Sequence, residues 1–371
     1  MDNLALHEIH RKAGASFLDL NGMEGVRDYG DAAAEYRALR ESAGILDLSF
    51  RGRLCVLGAD GRAFLNGQVT NNVKDLKTGE GCYAALVNAK GKMQSDLNIY
   101  CLENEWLLDF EPGFSAEVRS RLEKYIIAED AQVAEAAPHF GLLSAQGPRA
   151  AAVLEALSLR APAKAFGTAR MEDAALGEIY IANQPRIGTA GFDVFVSTAA
   201  LPAAAELLLT AARAAGGRWC GWAALETARI EAGLPRFGAD MDGANLPLEA
   251  GLDNRAVSWS KGCYIGQEVM ARIRTYGQVA RVLRGLRLPD DLTALPARGD
   301  KLFLGAKEAG FITSATASPA LRANIALGYV RREANQTGTE LRLETGGKQI
   351  PARIVDLPFV LWHKESDEKP D

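Results

Sequence analysis

A chain of 371 residues with 48% hydrophobic composition and a formal net charge of −5 has enough material for a substantial core, and its length favours two or three domains over one. The acidic balance argues against a protein built wholesale for nucleic acid or an anionic membrane, and neither is expected as a partner. No apolar run approaches the roughly 20 residues needed to span a bilayer, and the opening "MDNLALHEIHRK" lacks the basic-then-apolar layout of a secretory leader, so the cytoplasm is the expected compartment.

The segment "DAAAEYRALRESAGILDLS" reads as a helix stopped at Gly44 and feeding a strand. A strand at "RLCVLG", a helix over "DGRAFLNGQV", strands at "CYAALVN", "QSDLNIYCL" and "EWLLDF", and a helix over "FSAEVRSRLEKYI" follow. After His139 a similar cadence returns: "FGLLSAQ", "PRAAAVLEAL", "EIYIAN", "GFDVFVS", then the long helix "LPAAAELLLTAARAAG". Helices and hairpins mix, which is the α+β class, and the recurrence points to an internal duplication. Beyond Arg281 the texture changes to short alternating runs, from "VLRGLRL" to "QIPARIVDLPF", as in a small β-barrel or sandwich. The expected division is therefore residues 1–280, as two α+β lobes meeting near 138, and residues 281–371. The closing "KESDEKPD" reads as a frayed polar tail.

The commonest signatures for phosphate loops, zinc and serine nucleophiles are missing. Five cysteines without a CxxC pair suit reduced thiols. His7 and His10 are spaced to share a ligand on a helix but are expected to be solvated surface, so no metal is assigned.

Asp96 follows the turn "NAKGK" at the start of an apolar strand. A partly desolvated carboxylate there could accept a bond from a ligand amine or handle its proton; the plainer alternative is a turn cap. Tyr83, on the preceding strand, could stack on a heteroaromatic ligand or belong to the core. Arg229 could fork onto a ligand carboxylate, such as a glutamate tail, or pair with Glu226. In "KGCYIGQEVMAR", Cys263 sits beside Lys261 and ahead of a helix. A cation and a helix N-terminus both favour thiolate, whereas the usual fate of a free cysteine is a small buried apolar residue. Arg272, Arg274, Arg281, Arg284 and Arg287 form the strongest local basic cluster, suited to a polyanionic ligand tail, a partner or RNA, or else a solvated face.

Together "YGDAAAEYRALRESAGILDLS", "YAALVNAKGKMQSDL", "ARIEAGLPRFGADM" and "PLEAGL" resemble the folate-binding superfamily of the glycine-cleavage aminomethyltransferase, the T-protein, over nearly the whole chain. "KGCYIGQEVMAR", with Lys261, Gly262, Cys263, Gln267, Glu268 and Arg272, is similar to the signature of the YgfZ-type branch, whose members bind tetrahydrofolate and support assembly or repair of iron–sulfur proteins. The resemblance implies ferredoxin-like lobes around a central folate channel, with a C-terminal barrel. It also implies that Asp96 faces the reactive folate nitrogens, that Tyr83 lies in the pterin site, and that Arg229 lies near the folate. Two departures stand out: Phe50 occupies a position where the aminomethyltransferases keep a histidine, and Thr189 or Ala190 falls where they keep a pterin-binding glutamate. The expected function is a tetrahydrofolate-binding accessory factor acting through Cys263 on iron–sulfur client proteins. The alternative is a transferase moving a one-carbon unit from an aminomethylated carrier to tetrahydrofolate.

Overall fold

The computed structural model describes residues 2–361, so the "KESDEKPD" tail lies outside the described residues. The chain opens with α1 (His7–Lys12), the hairpin β1 (Ser16–Leu20) and β2 (Met23–Asp28), then α2 (Ala32–Glu41) and β3 (Gly44–Asp47). Asp31 starts α2 by accepting the Ala34 N–H at 2.9 Å, which satisfies one of the helix's free amides. A first unit follows: β4 (Gly52–Leu57), α3 (Gly61–Gln68), β5 (Gly81–Val87), β6 (Met93–Cys101), β7 (Trp106–Phe110), α4 (Ser115–Glu123) and β8 (Gln132–Glu135). A second unit repeats the order: β9 (Phe140–Gln146), α5 (Ala150–Ala156), β10 (Thr168–Asp173), β11 (Gly177–Asn183), β12 (Gly191–Ser197), α6 (Leu201–Ala214) and β13 (Arg218–Trp219).

The two sheets share one strand order. The first unit's strands order as β5-β6-β7-β4-β8 and the second's as β10-β11-β12-β9-β3-β13, the same arrangement with β3 inserted. β3 pairs antiparallel with β9 and parallel with β13. It precedes residue 138 yet belongs to the second sheet, so the two lobes share chain rather than meeting at one point.

Each sheet buries one face under its own helices. Leu54, Leu65, Leu97, Ile99 and Leu122 fill the first such core, and Ile45, Leu143, Ile181, Val194 and Leu208 the second. A third cluster, with Leu46, Leu48, Tyr100, Leu142 and Phe195, joins residues of both sheets, which is how two half-apolar layers are sealed together.

After β13 come α7 (Trp222–Glu231), a long loop, α8 (Asp253–Ala256) and α9 (Gln267–Tyr276). The six strands β14 (Arg281–Arg287), β15 (Lys301–Leu304), β16 (Lys307–Ser318), β17 (Ala323–Arg331), β18 (Glu340–Thr345) and β19 (Lys348–Val355) then close into a barrel, in the order β14-β17-β16-β15-β18-β19. Closure removes every free edge, and Leu286, Leu302, Ile312, Val330, Leu343 and Ile354 fill the interior. Among the described residues no helix is long and apolar enough to cross a membrane.

Candidate active site

Side chains alternate across the β5–β6 hairpin. Ala84, Leu86, Leu97 and Ile99 enter the helix-covered core, leaving Tyr83, Ala85, Asp96 and Asn98 on the opposite face. Ala85 pairs with Asp96 and Tyr83 with Asn98, so Tyr83 and Asp96 are diagonal neighbours within side-chain reach. The Tyr83 hydroxyl donates to Asp96 Oδ2 at 2.8 Å. Asp96 lies within β6 rather than at a turn, so the turn-cap alternative is set aside. It is only 9% exposed. Burial, reinforced by the charge of Glu111, pushes its carboxyl up to about 6, against the pull of the Tyr83 hydroxyl and Arg51.

Asp96 and Tyr83 line a cavity of about 780 Å³, counted with its open mouth, whose walls include Phe166, Trp222, Leu48 and Leu225. Its floor is a lattice of buried ions. Arg51 donates to Asp109 at 2.7 Å and to Glu111 at 2.6 Å; Arg186 bonds Asp109 at 3.0 Å and also Asp193. Arg236 reaches Glu111 at 3.1 Å and Glu226 at 3.0 Å while lying 4.9 Å from the Trp222 ring. Burial works against the charge on Asp109, but Arg51 and Arg186 overcome it and hold the carboxyl well below the usual range. Burial likewise opposes ionised Glu226, yet Arg229 and Arg236 bring it down to about 2. Among the carboxylates lining the cavity, Asp96 is the one that no arginine bonds, and burial raises its carboxyl.

Arg229 lines the cavity, 4% exposed. Its five N–H groups go to Glu226, Asp240, Ser314 and the Leu234 carbonyl. Of its two readings, the pair with Glu226 is the one present, and no N–H is left to fork onto a ligand carboxylate. Arg255, which the sequence did not single out, is exposed on the cavity rim with its guanidinium 5.5 Å from the Tyr83 ring. Among the described residues it has no side-chain hydrogen bond and no ion pair.

The "KGCYIGQEVMAR" segment lies elsewhere. The Lys261 ammonium is buried and donates to the carbonyls of Asn66, Val69 and Asn71 at 2.6–2.7 Å, tying the motif to the end of α3. Burial pulls its pKa down to about 8. The lysine therefore serves backbone carbonyls. Cys263 is exposed, precedes α9 by several residues, and is not among the residues lining the cavity; the buried-apolar alternative does not hold. Gly262 is exposed. Gly266 caps α9 at φ 84°, where an added Cβ would meet the Asn88 carbonyl at 2.5 Å. Gln267 opens α9, and Glu268 pairs with Arg272 at 2.6 Å on its exposed face. All five cysteines are free, and Cys263 alone is exposed. A thiol reagent such as a maleimide should label one site in the native protein, and Cys263→Ser should remove that labelling; rapid labelling at a second position would contradict this exposure pattern.

Two other expectations change. His10 is fully buried, with Nε2 2.9 Å from Asp47 and Nδ1 2.9 Å from the Tyr29 hydroxyl, so it does not face solvent, whereas His7, bonded to Glu24 at 2.7 Å, is half-buried. The basic cluster is divided: Arg272, Arg281 and Arg287 have acid partners, Arg274 stacks on Trp259, and the Arg284 Nε is buried without one. Phe50 packs edge-on against Trp222 in the core. Thr189 and Ala190 lie off the cavity, where Pro185 and Arg186 take part instead.

A concave, aromatic-walled cavity with a few converging polar groups, lined from both α+β units and from α7 with the loop after it, has the geometry of a small-molecule pocket in an α+β protein. Residues 6–261 match the GCVT N-terminal domain and residues 281–360 the glycine cleavage T-protein C-terminal barrel domain, and the chain belongs to this family. Among curated proteins it is 30% identical over 95% of its length to an aminomethyltransferase of Shouchella clausii, covering 96% of that protein. It is 31% identical to the aminomethyltransferase of Ralstonia pickettii, over 97% of each chain. The crystal structure of the glycine cleavage system aminomethyltransferase T from Bartonella henselae superposes with a TM-score of 0.87 at 29% identity, covering 97% of this chain and 98% of that one.

Proposed function

We propose that the cavity binds tetrahydrofolate and that the protein is a folate-dependent aminomethyltransferase. The observation that carries this reading is Asp96: a carboxylate without an arginine partner, facing an aromatic cavity, oriented by Tyr83 and titrating near neutrality. The full-length likeness to aminomethyltransferases supports it.

Tyr83, Phe166 and Trp222 offer flat apolar surfaces to a pteridine. Glu111 already accepts from Arg51 and Arg236, but each oxygen keeps a lone pair for a ring N–H; it supplies a carboxylate in place of the one absent at Thr189 and Ala190. Asp96, with Tyr83 on Oδ2, presents Oδ1 to a folate amine. As the nitrogen lone pair bonds to the methylene carbon of an aminomethylated carrier, the amine proton passes to Asp96. The electron pair of the cleaved carbon–sulfur bond leaves with the carrier's sulfur.

The second reading, an accessory factor for iron–sulfur proteins, is favoured by one observation, the exposed Cys263 within the YgfZ-like segment. A single thiol outside the cavity supplies one ligand at most, and no group of three or more potential metal ligands occurs among the described residues. Thermal unfolding with added tetrahydrofolate, paired with turnover of an aminomethyl-lipoyl carrier protein, separates the readings. The transferase reading expects a rise of melting temperature with ligand, turnover lost in Asp96→Asn, and turnover retained in Cys263→Ser. Turnover that depends on Cys263 and ignores Asp96 would reverse the assignment, and no thermal shift at saturation would remove folate altogether.

A further inference from the structure

The faces of the two sheets that turn away from the helices enclose a second hollow besides the cavity described above. Along one strand face, alternate positions serve first one and then the other. Asn98 on β6 and Asp109 on β7 line the first cavity, whereas Leu102, just past β6, and Leu107 on β7 line the second. Gln184, just past β11, and Tyr180 on β11 divide in the same way. Tyr100 stands between the two: its hydroxyl donates to Gln184 at 3.2 Å, and its ring meets Phe195 of the second cavity edge-on at 6.2 Å. The second cavity measures about 660 Å³, counted with its open mouth, and Leu57, Leu102, Leu107, Phe140 and Phe195 give it apolar walls drawn from both units.

Its most buried polar lining residue is Arg53 on β4, which is fully buried. The guanidinium donates to the carbonyls of Arg51 and Ser49 at 3.1 Å, Ala137 at 3.4 Å and Phe140 at 2.8 Å. Its Nε–H has no partner, and among the described residues Arg53 makes no ion pair. Arg51 and Arg186 are buried too, but each bonds Asp109. Burial pulls the Arg53 pKa down to about 10, which still leaves it charged at neutral pH. The Cys55 thiol in the same wall is no counter-ion, because burial and the charge of Glu105 push it well above the usual thiol range. Glu105 and Glu135 are half-buried and His139 is exposed, so the acids belong to the wetter part of the lining, where charge is screened. A buried cation without a counter-ion is costly to hold.

We infer that this second cavity is a binding site for an apolar monocarboxylate, its hydrocarbon body lying against Leu57, Leu102, Leu107 and Phe195 and its carboxylate accepting from the Arg53 Nε. The apolar walls gain from covering, and the guanidinium gains the partner it lacks. A cation is repelled by Arg53, and a polyanion would bring its outer charges against Glu105 and Glu135. The site does not depend on the folate reading, since Tyr100 separates it from the first cavity.

Calorimetric titration of the full chain with octanoate, 1-octanol and octylamine tests it. Octanoate is expected to bind about tenfold tighter or more than octanol, as a charge-assisted hydrogen bond in a dry site would give, and octylamine more weakly than either. The ratio should hold between low and high salt, because a buried charge is little screened. Arg53 also gathers four carbonyls, and its loss would unsettle the fold, so the site is blocked at a half-buried wall position of β8 instead. Ala134→Phe should abolish octanoate binding while leaving the melting temperature without ligand unchanged. A crystal of the wild-type protein with octanoate should place its carboxylate within hydrogen-bonding distance of Arg53. Equal affinity for octanol, binding that survives Ala134→Phe, octanoate seated elsewhere in the crystal, or no binding by the wild type would each overturn the inference and leave the folate reading intact.

Discussion

Replacing Asp96 by asparagine is expected to lower the turnover number by about 10²- to 10⁴-fold, the usual contribution of a positioned proton acceptor, while making the protein more stable at pH 8. Both effects come from the same burial. The carboxyl titrates near 6 in the folded chain, above the ordinary aspartate value of about 3.9 that the unfolded chain would show. Its raised folded value means that stability is greatest while the group is protonated in both states. That stability is lost as pH rises through about 4 to 6, because the folded chain must then carry a buried charge. Fully developed, the loss is about 3 kcal/mol. Asparagine keeps an acceptor for Tyr83 and carries no charge, so the variant's urea midpoint should exceed the wild type's at pH 8 and converge with it near pH 4. Wild-type kcat/KM should rise with pH through about 6 and then level. A variant that keeps full turnover, or that is destabilised at pH 8, would show that Asp96 is neither the proton acceptor nor a strained group.

Lys261→Met should destabilise the protein by about 1–3 kcal/mol, the cost of leaving buried acceptors without a donor. Methionine preserves much of the side chain's bulk but leaves the carbonyls of Asn66, Val69 and Asn71 without the ammonium that gathers them. Two of those residues bracket the end of α3 and the third lies in the following turn, so the loss should loosen the packing between α3 and the motif segment. Chemical denaturation of Lys261→Met beside Cys263→Ser provides the contrast: the cysteine is exposed, and its replacement should shift the midpoint little. Equal, small shifts in both variants would mean that the lysine is not a structural tie.

Tyr83 and Asp96 were legible because a hairpin's register is local: a strand, a glycine turn and a second strand place residues 83 and 96 on one face. The barrel was legible for a similar reason, since short alternating runs carry their own signal. The ion lattice was not. Asp109 and Glu111 sit two apart on and just after an apolar strand, which could have marked them as inward-facing carboxylates. Their partners, however, are Arg51, Arg186 and Arg236, distant by 58 to 125 positions along the chain, and nothing local selects those arginines from the rest. Lys261 misled in the opposite direction. Its place two residues before Cys263 suggested an electrostatic partner, but the lysine turned instead to backbone acceptors nearly 200 positions away. Arg255 was passed over because its use depends on the cavity mouth, which no sequence pattern outlines.

β3 bears on how the polypeptide emerges from the ribosome. Its two hydrogen-bonding neighbours, β9 and β13, are made about 100 and 175 residues later, so this strand waits with unpaired edges while the entire first sheet is synthesised. Long-range closure of this kind slows assembly and leaves a sticky intermediate. A nascent chain halted before Trp219 should accordingly be held by chaperones or degraded, and a cut at the apparent lobe boundary should yield a first fragment unable to mature by itself.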